Sequence, residues 1–217
     1  MGRDAMRIGS GHASFRVALL ALALAIATVA GARADSGGAG ARSDRSQGDC
    51  SRVDFGKRVL ERRDCGNDVR TLNWILKSKD YGVRLRRSFN KSTERSVRAF
   101  QRKKAIASDG IVGDRTRDEL VRSMRRHKAS WYGPGFWGNR TACGQRLRKR
   151  TVGVAHRNLP CGTRVVIGHG GRYVRTRVID RGPFVKRNYE RDWDLTRAAA
   201  RKIGFEGVDR VRAAPIR

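Results

Sequence analysis

The residues best placed to do chemistry are a carboxylate and its neighbours in the run Val178-Ile179-Asp180-Arg181-Gly182-Pro183-Phe184. Two β-branched residues lead into an acid, and an arginine, a Gly-Pro turn and an aromatic follow it. That pattern reads as a strand ending in a tight turn with Asp180 displayed at its rim. Acids are scarce around it: none occurs from Ala129 to Ile179, and the C-terminal segment carries only Asp180, Glu190, Asp192, Asp194, Glu206 and Asp209. A bare ion pair between Asp180 and Arg181 is the competing reading of the turn. Trp131, Tyr132, Phe136 and Trp137 supply flat apolar faces of the kind that pack on sugar rings.

These residues sit in a basic chain of 217 residues with a formal net charge of +29. Such a charge favours polyanionic surroundings. Nucleic acid is one candidate class, but the start of the chain argues against it. Arg3, Arg7 and Arg16 precede an apolar run from Val17 to Val29, and small residues follow at Ala30-Gly31-Ala32 and Ala32-Arg33-Ala34. The run is short for a membrane span and has the layout of a secretory signal peptide covering 1–34. The expected mature protein is exported and works beside an anionic cell envelope, secreted or associated with the cell wall. It has no stable membrane anchor and no specific nucleic-acid partner.

Export implies an oxidising setting for the four cysteines. Cys50 and Cys65 form one sequence cluster, Cys143 and Cys161 another. Local pairing within each cluster closes only short loops and is the favoured connectivity. Zinc-type spacing is missing, so neither a metal nor another cofactor is expected.

Residues 35–49 lack apolar periodicity and read as a flexible linker. Beyond them, Val69, Leu72, Ile75 and Leu76 mark one helix with Asp68 as its cap. A second helix is predicted from Ser92-Thr93 through Val97 and Phe100, and a third over Thr116 to Met124. Gly66-Asn67-Asp68-Val69, Thr93…Val97-Arg98-Ala99-Phe100-Gln101 and Asp109-Gly110-Ile111-Val112-Gly113…Thr116…Leu120 arrive in an order that resembles the small three-helix peptidoglycan-binding domain. That resemblance covers roughly 50–125. Asn73 departs from it, standing where the family usually has glutamine. Met124-Arg125-Arg126-His127-Lys128 reads as a basic linker.

After Ala129 the pattern changes to short β-branched runs at Thr151–Ala155, Thr163–Gly168 and Tyr173–Ile179, with Gly168-His169-Gly170-Gly171 as a hairpin turn. Leu195 to Ile203 is predicted as a short helix, with Asp194 at its cap position. Ala129-Ser130-Trp131-Tyr132-Gly133, Thr141-Ala142-Cys143-Gly144, Val154-Ala155-His156, Ile179-Asp180-Arg181-Gly182-Pro183-Phe184 and Trp193-Asp194-Leu195-Thr196 resemble the rare lipoprotein A type of double-psi β-barrel. The match covers nearly all of 129–213. Together the two resemblances imply a multidomain fold. A small all-α peptidoglycan-binding domain over 50–125 precedes a six-stranded double-psi β-barrel with a short helix over 126–217.

The barrel family includes lytic transglycosylases, which cleave peptidoglycan glycan strands, and is related in fold to expansins. What the resemblance implies is a monomeric cell-wall protein, with Asp180 as general acid and His156 assisting. Gln145, Asp194, Trp131, Tyr132 and Arg181 would contact the glycan. Anionic cell-wall polymers are further candidate partners. Gln145 occupies the position of a family glutamate and cannot move a proton usefully. Non-catalytic, expansin-like binding is therefore the alternative, and Asp194, whose counterpart matters in expansins, is the alternative acid.

Overall fold

The computed structural model describes residues 50–184 and 191–217. The predicted signal peptide and linker, 1–49, lie outside the described residues. Three helices come first: α1 (Asn67–Lys77), α2 (Lys91–Lys103) and α3 (Asp114–Ser123). Leu72, Ile75 and Leu76 of α1 meet Val97 and Phe100 of α2 and Leu120 of α3 in one buried cluster, as the apolar spacing requires. Asp68 does not cap α1. The cap position is Gly66, while Asp68 lies fully buried in the first turn, accepting from Val69 N at 2.7 Å and from Arg58 Nε at 2.7 Å. Gly66 has φ 153°, and a Cβ there would collide with Asp68 Oδ1 and the Ser51 carbonyl, so only glycine fits. Asn90 caps α2, accepting from the amides of Ser92 and Thr93. The expected start at Ser92 was therefore one residue late.

Two buried amides tie the loops to these helices. Gln101 Nε2 donates to Asp109 Oδ1, the Ile111 carbonyl and Thr116 Oγ1, and its Oε1 accepts from Gly110 N at 2.9 Å. Asn73 donates to the Arg86 carbonyl at 3.0 Å and accepts from Thr93 Oγ1. Its departure from the family pattern is thus a matter of packing. Cys50–Cys65 staples the start of this region, with Cα atoms 4.8 Å apart.

The basic linker expected at 124–128 is absent. Strand β1 (Arg125–Tyr132) begins almost immediately after α3, and Met124 between them is fully buried. The helical core also continues into the strands: Val166, Ala214 and Ile216 belong to the same cluster as Leu72 and Phe100. Phe55 packs edge-on against Tyr173 at 5.9 Å, and Arg212 donates to the Met124 carbonyl at 2.8 Å. The helical domain and the barrel therefore share an apolar interface.

The remaining elements are β2 (Val154–Ala155), β3 (Arg164–His169), β4 (Arg172–Asp180), β5 (Trp193–Thr196), α4 (Arg197–Lys202) and β6 (Asp209–Ile216). The six strands close into a barrel in the order β1-β5-β2-β4-β3-β6. Pairs β1–β5 and β2–β4 are parallel and the other pairs antiparallel. Val154, Val165, Ile167, Val174, Val178, Trp193 and Leu195 build its core, joined by Ala199, Ala200 and Ile203 of the α4 segment. Gly170 and Gly171, at φ 55° and 80°, make the β3–β4 hairpin turn, a geometry that favours glycine at both positions. Thr196 caps α4 through Ala199 N, so Asp194 is a strand residue and the cap reading of it is corrected.

Candidate active site

Closure of the barrel lines up residues that are far apart in sequence. Ser130 on β1 is the register partner of Asp194 on β5. Asp194 pairs with Ala155 on β2, and Ala155 pairs with Asp180 on β4. The row Ser130–Asp194–Ala155–Asp180 therefore crosses four adjacent strands. Strand spacing of about 4.8 Å puts the two aspartate Cα atoms roughly 10 Å apart, with Ala155 on the strand between them. The β2–β4 register slips between Val154 and Ala155, and such irregularities re-aim strand-end side chains.

The two acids have different surroundings. Asp194 Oδ1 accepts from Ser130 Oγ at 2.6 Å. Burial nevertheless raises its pKa above the ordinary aspartate value, and the negative charge of Asp180 adds to that; the Ser130 bond and the Arg191 charge act in the opposite sense. Asp180 Oδ1 accepts two backbone bonds, from Ala142 N at 2.8 Å and Arg181 N at 2.9 Å. Ala142 is placed by its neighbour Cys143, whose disulfide to Cys161 spans 5.7 Å between Cα atoms. The segment after Cys161 is itself tied to β4 by Gly162 N to the Val178 carbonyl, 2.8 Å.

Tyr132 stands beside both acids. Burial first, then the charges of Asp180 and Asp194, push its phenol well above the ordinary tyrosine range. Its hydroxyl is buried and, among the described residues, closes no hydrogen bond within normal geometric limits, so the influence of Asp180 on it is one of charge and close approach. Phe136 packs edge-on to Tyr132 at 6.2 Å and is 55% exposed; Trp137 is 37% exposed, with Lys149 over its ring at 5.3 Å. The expected aromatic floor is divided. Trp131 neighbours Tyr132 on β1 and so faces the opposite way. Its ring carries Arg197 at 4.8 Å and lines a separate groove with Phe205.

The other sequence-derived site residues have structural engagements. The His156 amide donates to the Asp180 carbonyl at 3.2 Å, but its ring turns elsewhere. Nδ1 accepts from Asn158 N and Leu159 N at 3.1 and 3.0 Å, and the ring lies 4.5 Å from that of Trp193. Burial holds the imidazole pKa below its ordinary value, in keeping with an acceptor nitrogen. Arg181 donates to the carbonyls of Leu159 at 2.8 Å and His156 at 3.3 Å, clamping that loop. Gln145 is exposed, in a groove with Arg164, Arg175 and Arg177. Ser130 and the Ala142 amide were not singled out from sequence; no local signal marks them, because both depend on long-range pairing. Among the described residues no group of three or more His, Cys, Asp or Glu side chains is arranged to hold a metal ion.

Residues 125–216 match the lytic transglycolase family model. The barrel is a lytic transglycolase domain. Residues 65–120 match the model of the peptidoglycan binding domain family, so the helical region is a domain of that kind. A Synechocystis sp. protein named "Probable endolytic peptidoglycan transglycosylase RlpA" is 50% identical over 87 residues, covering 39% of this chain and 26% of its own. The Campylobacter jejuni protein named "Endolytic peptidoglycan transglycosylase RlpA" is 43% identical over 77 residues, covering 35% of this chain and 27% of its own. This chain thus spans about a quarter of the length of these curated relatives. Among solved structures, the SleB N-terminal domain aligns over 32% of this chain and 96% of its own at 31% identity, with a TM-score of 0.31.

Proposed function

We propose that this protein is an exported cell-wall enzyme whose helical domain binds peptidoglycan and whose lytic transglycolase domain cleaves glycan strands by intramolecular transglycosylation. The observation that carries the reading is the pair Asp180 and Asp194, facing one another across Ala155 in unlike environments. Burial raises the pKa of Asp194 above the ordinary aspartate value, the direction a proton donor needs. Asp180 has one oxygen anchored by two backbone amides. In this mechanism Asp194 protonates the leaving glycosidic oxygen as its bond to the muramic acid C1 breaks. The 6-hydroxyl of that sugar closes on C1, and its proton passes to Asp180. One C–O bond breaks, one forms, and no water is consumed. The attack is intramolecular, which supplies the orientation that a second substrate would otherwise have to provide.

This division takes Asp194, the alternative acid named from sequence, in place of Asp180, and it gives His156 a positioning role at the Asp180 carbonyl. Gln145 leaves the mechanism intact because it lies outside the pair. Incubation of the mature protein with peptidoglycan sacculi should release 1,6-anhydromuramyl products, identified by mass spectrometry. Asp194→Asn should lower the rate by about 10²–10⁴-fold, the usual contribution of a general acid. Normal product release by Asp194→Asn would return the acid role to Asp180. Binding to sacculi without product from the wild type would favour the expansin-like alternative. Export is supported by the layout of 1–34 and by two disulfides. N-terminal sequencing of the protein recovered outside the cytoplasm should begin near residue 35.

A further inference from the structure

Tyr132 ends β1 on the face that carries the acids. It lies two residues from Ser130, so the two side chains leave the same face, and their register partners on β5 are Thr196 and Asp194. The phenol ring leans edge-on against Phe136. Its hydroxyl is buried and, among the described residues, has no hydrogen-bond partner. The other hydroxyls around it are engaged. Ser130 Oγ donates to Asp194 Oδ1 at 2.6 Å, and Thr196 Oγ1 accepts from Gly153 N at 3.1 Å and from Ala199 N at 3.3 Å. What bears on the orphaned hydroxyl is charge, since both Asp180 and Asp194 act on it.

A buried hydroxyl without a partner has lost its water and gained nothing in return. Phenylalanine would fill the same space without that cost. The use of the hydroxyl therefore lies in the working site, where hydrogen bonds that are open at rest close around substrate. Burial holds the phenol protonated, so it serves as a hydrogen-bond donor and not as an acid or base. The two acids supply changing acceptors. In the proposed cleavage Asp180 begins ionised and ends protonated, while Asp194 begins protonated and ends ionised. A negative charge thus passes from one side of Ala155 to the other. A rotatable O–H near both carboxylates can turn toward whichever is ionised, and bonds to ionised acceptors are the strong ones. A donor whose bond strengthens as charge develops favours the transition state over the ground state.

We propose that the Tyr132 hydroxyl follows the charge across the site, turning to Asp180 while that carboxylate is ionised and to Asp194 as Asp194 gives up its proton. The inference rests on the glycan-cleaving reading with Asp194 as acid. Tyr132 acts through the carboxylates and not on the sugar. It is a positioning residue that supports kcat and leaves substrate affinity alone.

The test is steady-state digestion of peptidoglycan sacculi by the full mature protein, as wild type, Tyr132→Phe, Asp194→Asn and the double variant, with 1,6-anhydromuramyl ends counted by mass spectrometry. Tyr132→Phe should lower kcat by about 10–100-fold, the usual worth of one hydrogen bond to a charged group, with KM unchanged. It should melt no lower than wild type, because it removes a polar group that has no partner in the resting fold. In the Asp194→Asn background the same change should cost little further, since no charge arrives at position 194. An unchanged kcat in Tyr132→Phe, a loss carried by KM, or equal losses in the two backgrounds would overturn the proposal. A wild type that forms no anhydromuramyl product would overturn the cleavage reading and this proposal with it. An active wild type beside an equally active Tyr132→Phe would overturn this proposal alone.

Discussion

Removing the Cys143–Cys161 bridge tests how the barrel's long loop is held. The bridge closes a loop of 18 residues. In the chain-entropy model, tethering a loop of that size stabilises the fold by about 3 kcal/mol. For a folded region of this size, about 3 kcal/mol corresponds to roughly 6–12 °C in melting temperature. The Cys143→Ser/Cys161→Ser variant should therefore melt lower by that amount in calorimetry. It should also lose more activity than stability, because Ala142, next to Cys143, aims its N–H at Asp180 Oδ1. Assayed well below its melting temperature, the folded variant should release anhydromuramyl products more slowly than wild type. The Cys50→Ser/Cys65→Ser variant opens a similar loop of 15 residues but touches no site residue. It should lose a similar melting increment while keeping its rate. If both variants keep full activity, the disulfide does not position the Ala142 amide. If the first melts within a degree of wild type, the loop is held by its other contacts and the entropic argument fails.

Ser130→Ala removes a bond that lowers the Asp194 pKa, so that pKa should rise further. A proton donor is lost as pH climbs through its pKa, so the alkaline limb of the pH–rate profile for sacculus digestion should move to higher pH. Gln101→Leu leaves the buried Gly110 amide and its neighbours without their partner; urea unfolding should show a loss of about 3 kcal/mol with the m-value unchanged. Gly153→Ala drives a methyl group into the Ile179 side chain and should cost about 1–3 kcal/mol, recovered in part by Ile179→Ala in a double-mutant cycle.

The helices were legible because Leu72, Leu76, Val97, Phe100 and Leu120 recur at helical spacing and each is fully or almost fully buried. The β3–β4 hairpin was legible because Gly170-Gly171 has one preferred turn geometry. Strand β1 was misread because Arg125, Arg126 and Lys128 give it the composition of a solvated linker, although its pairing with β6 makes it part of the barrel wall. Strand β6 carries no alternation, since Ala213, Ala214 and Ile216 serve two cores, one inside the barrel and one beneath the helices. The acids Asp180 and Asp194 could be named from motif positions. Their unlike environments could not, because Ser130 and Asp194 are 64 residues apart and meet only through the β1–β5 pairing.

Strand β2 sets how the two acids are separated. It has only two residues, yet it lies between β5 and β4 and separates the two aspartates. Its flanks are held by backbone: Gly153 N donates to Thr196 Oγ1, and its carbonyl accepts from Thr196 N. Gly153 has no side chain, so Ile179 can pack over it beside Asp180. Ala155 then contributes one methyl group to the row from Asp194 to Asp180. A larger residue at 155 would crowd the carboxylates in the same row. Small residues at 153 and 155 thus serve different needs: the first lets a neighbouring side chain pack in, and the second keeps the row between the acids uncrowded. The middle strand sets the separation of the acids, while the acids and their tuning partners come from the strands on either side.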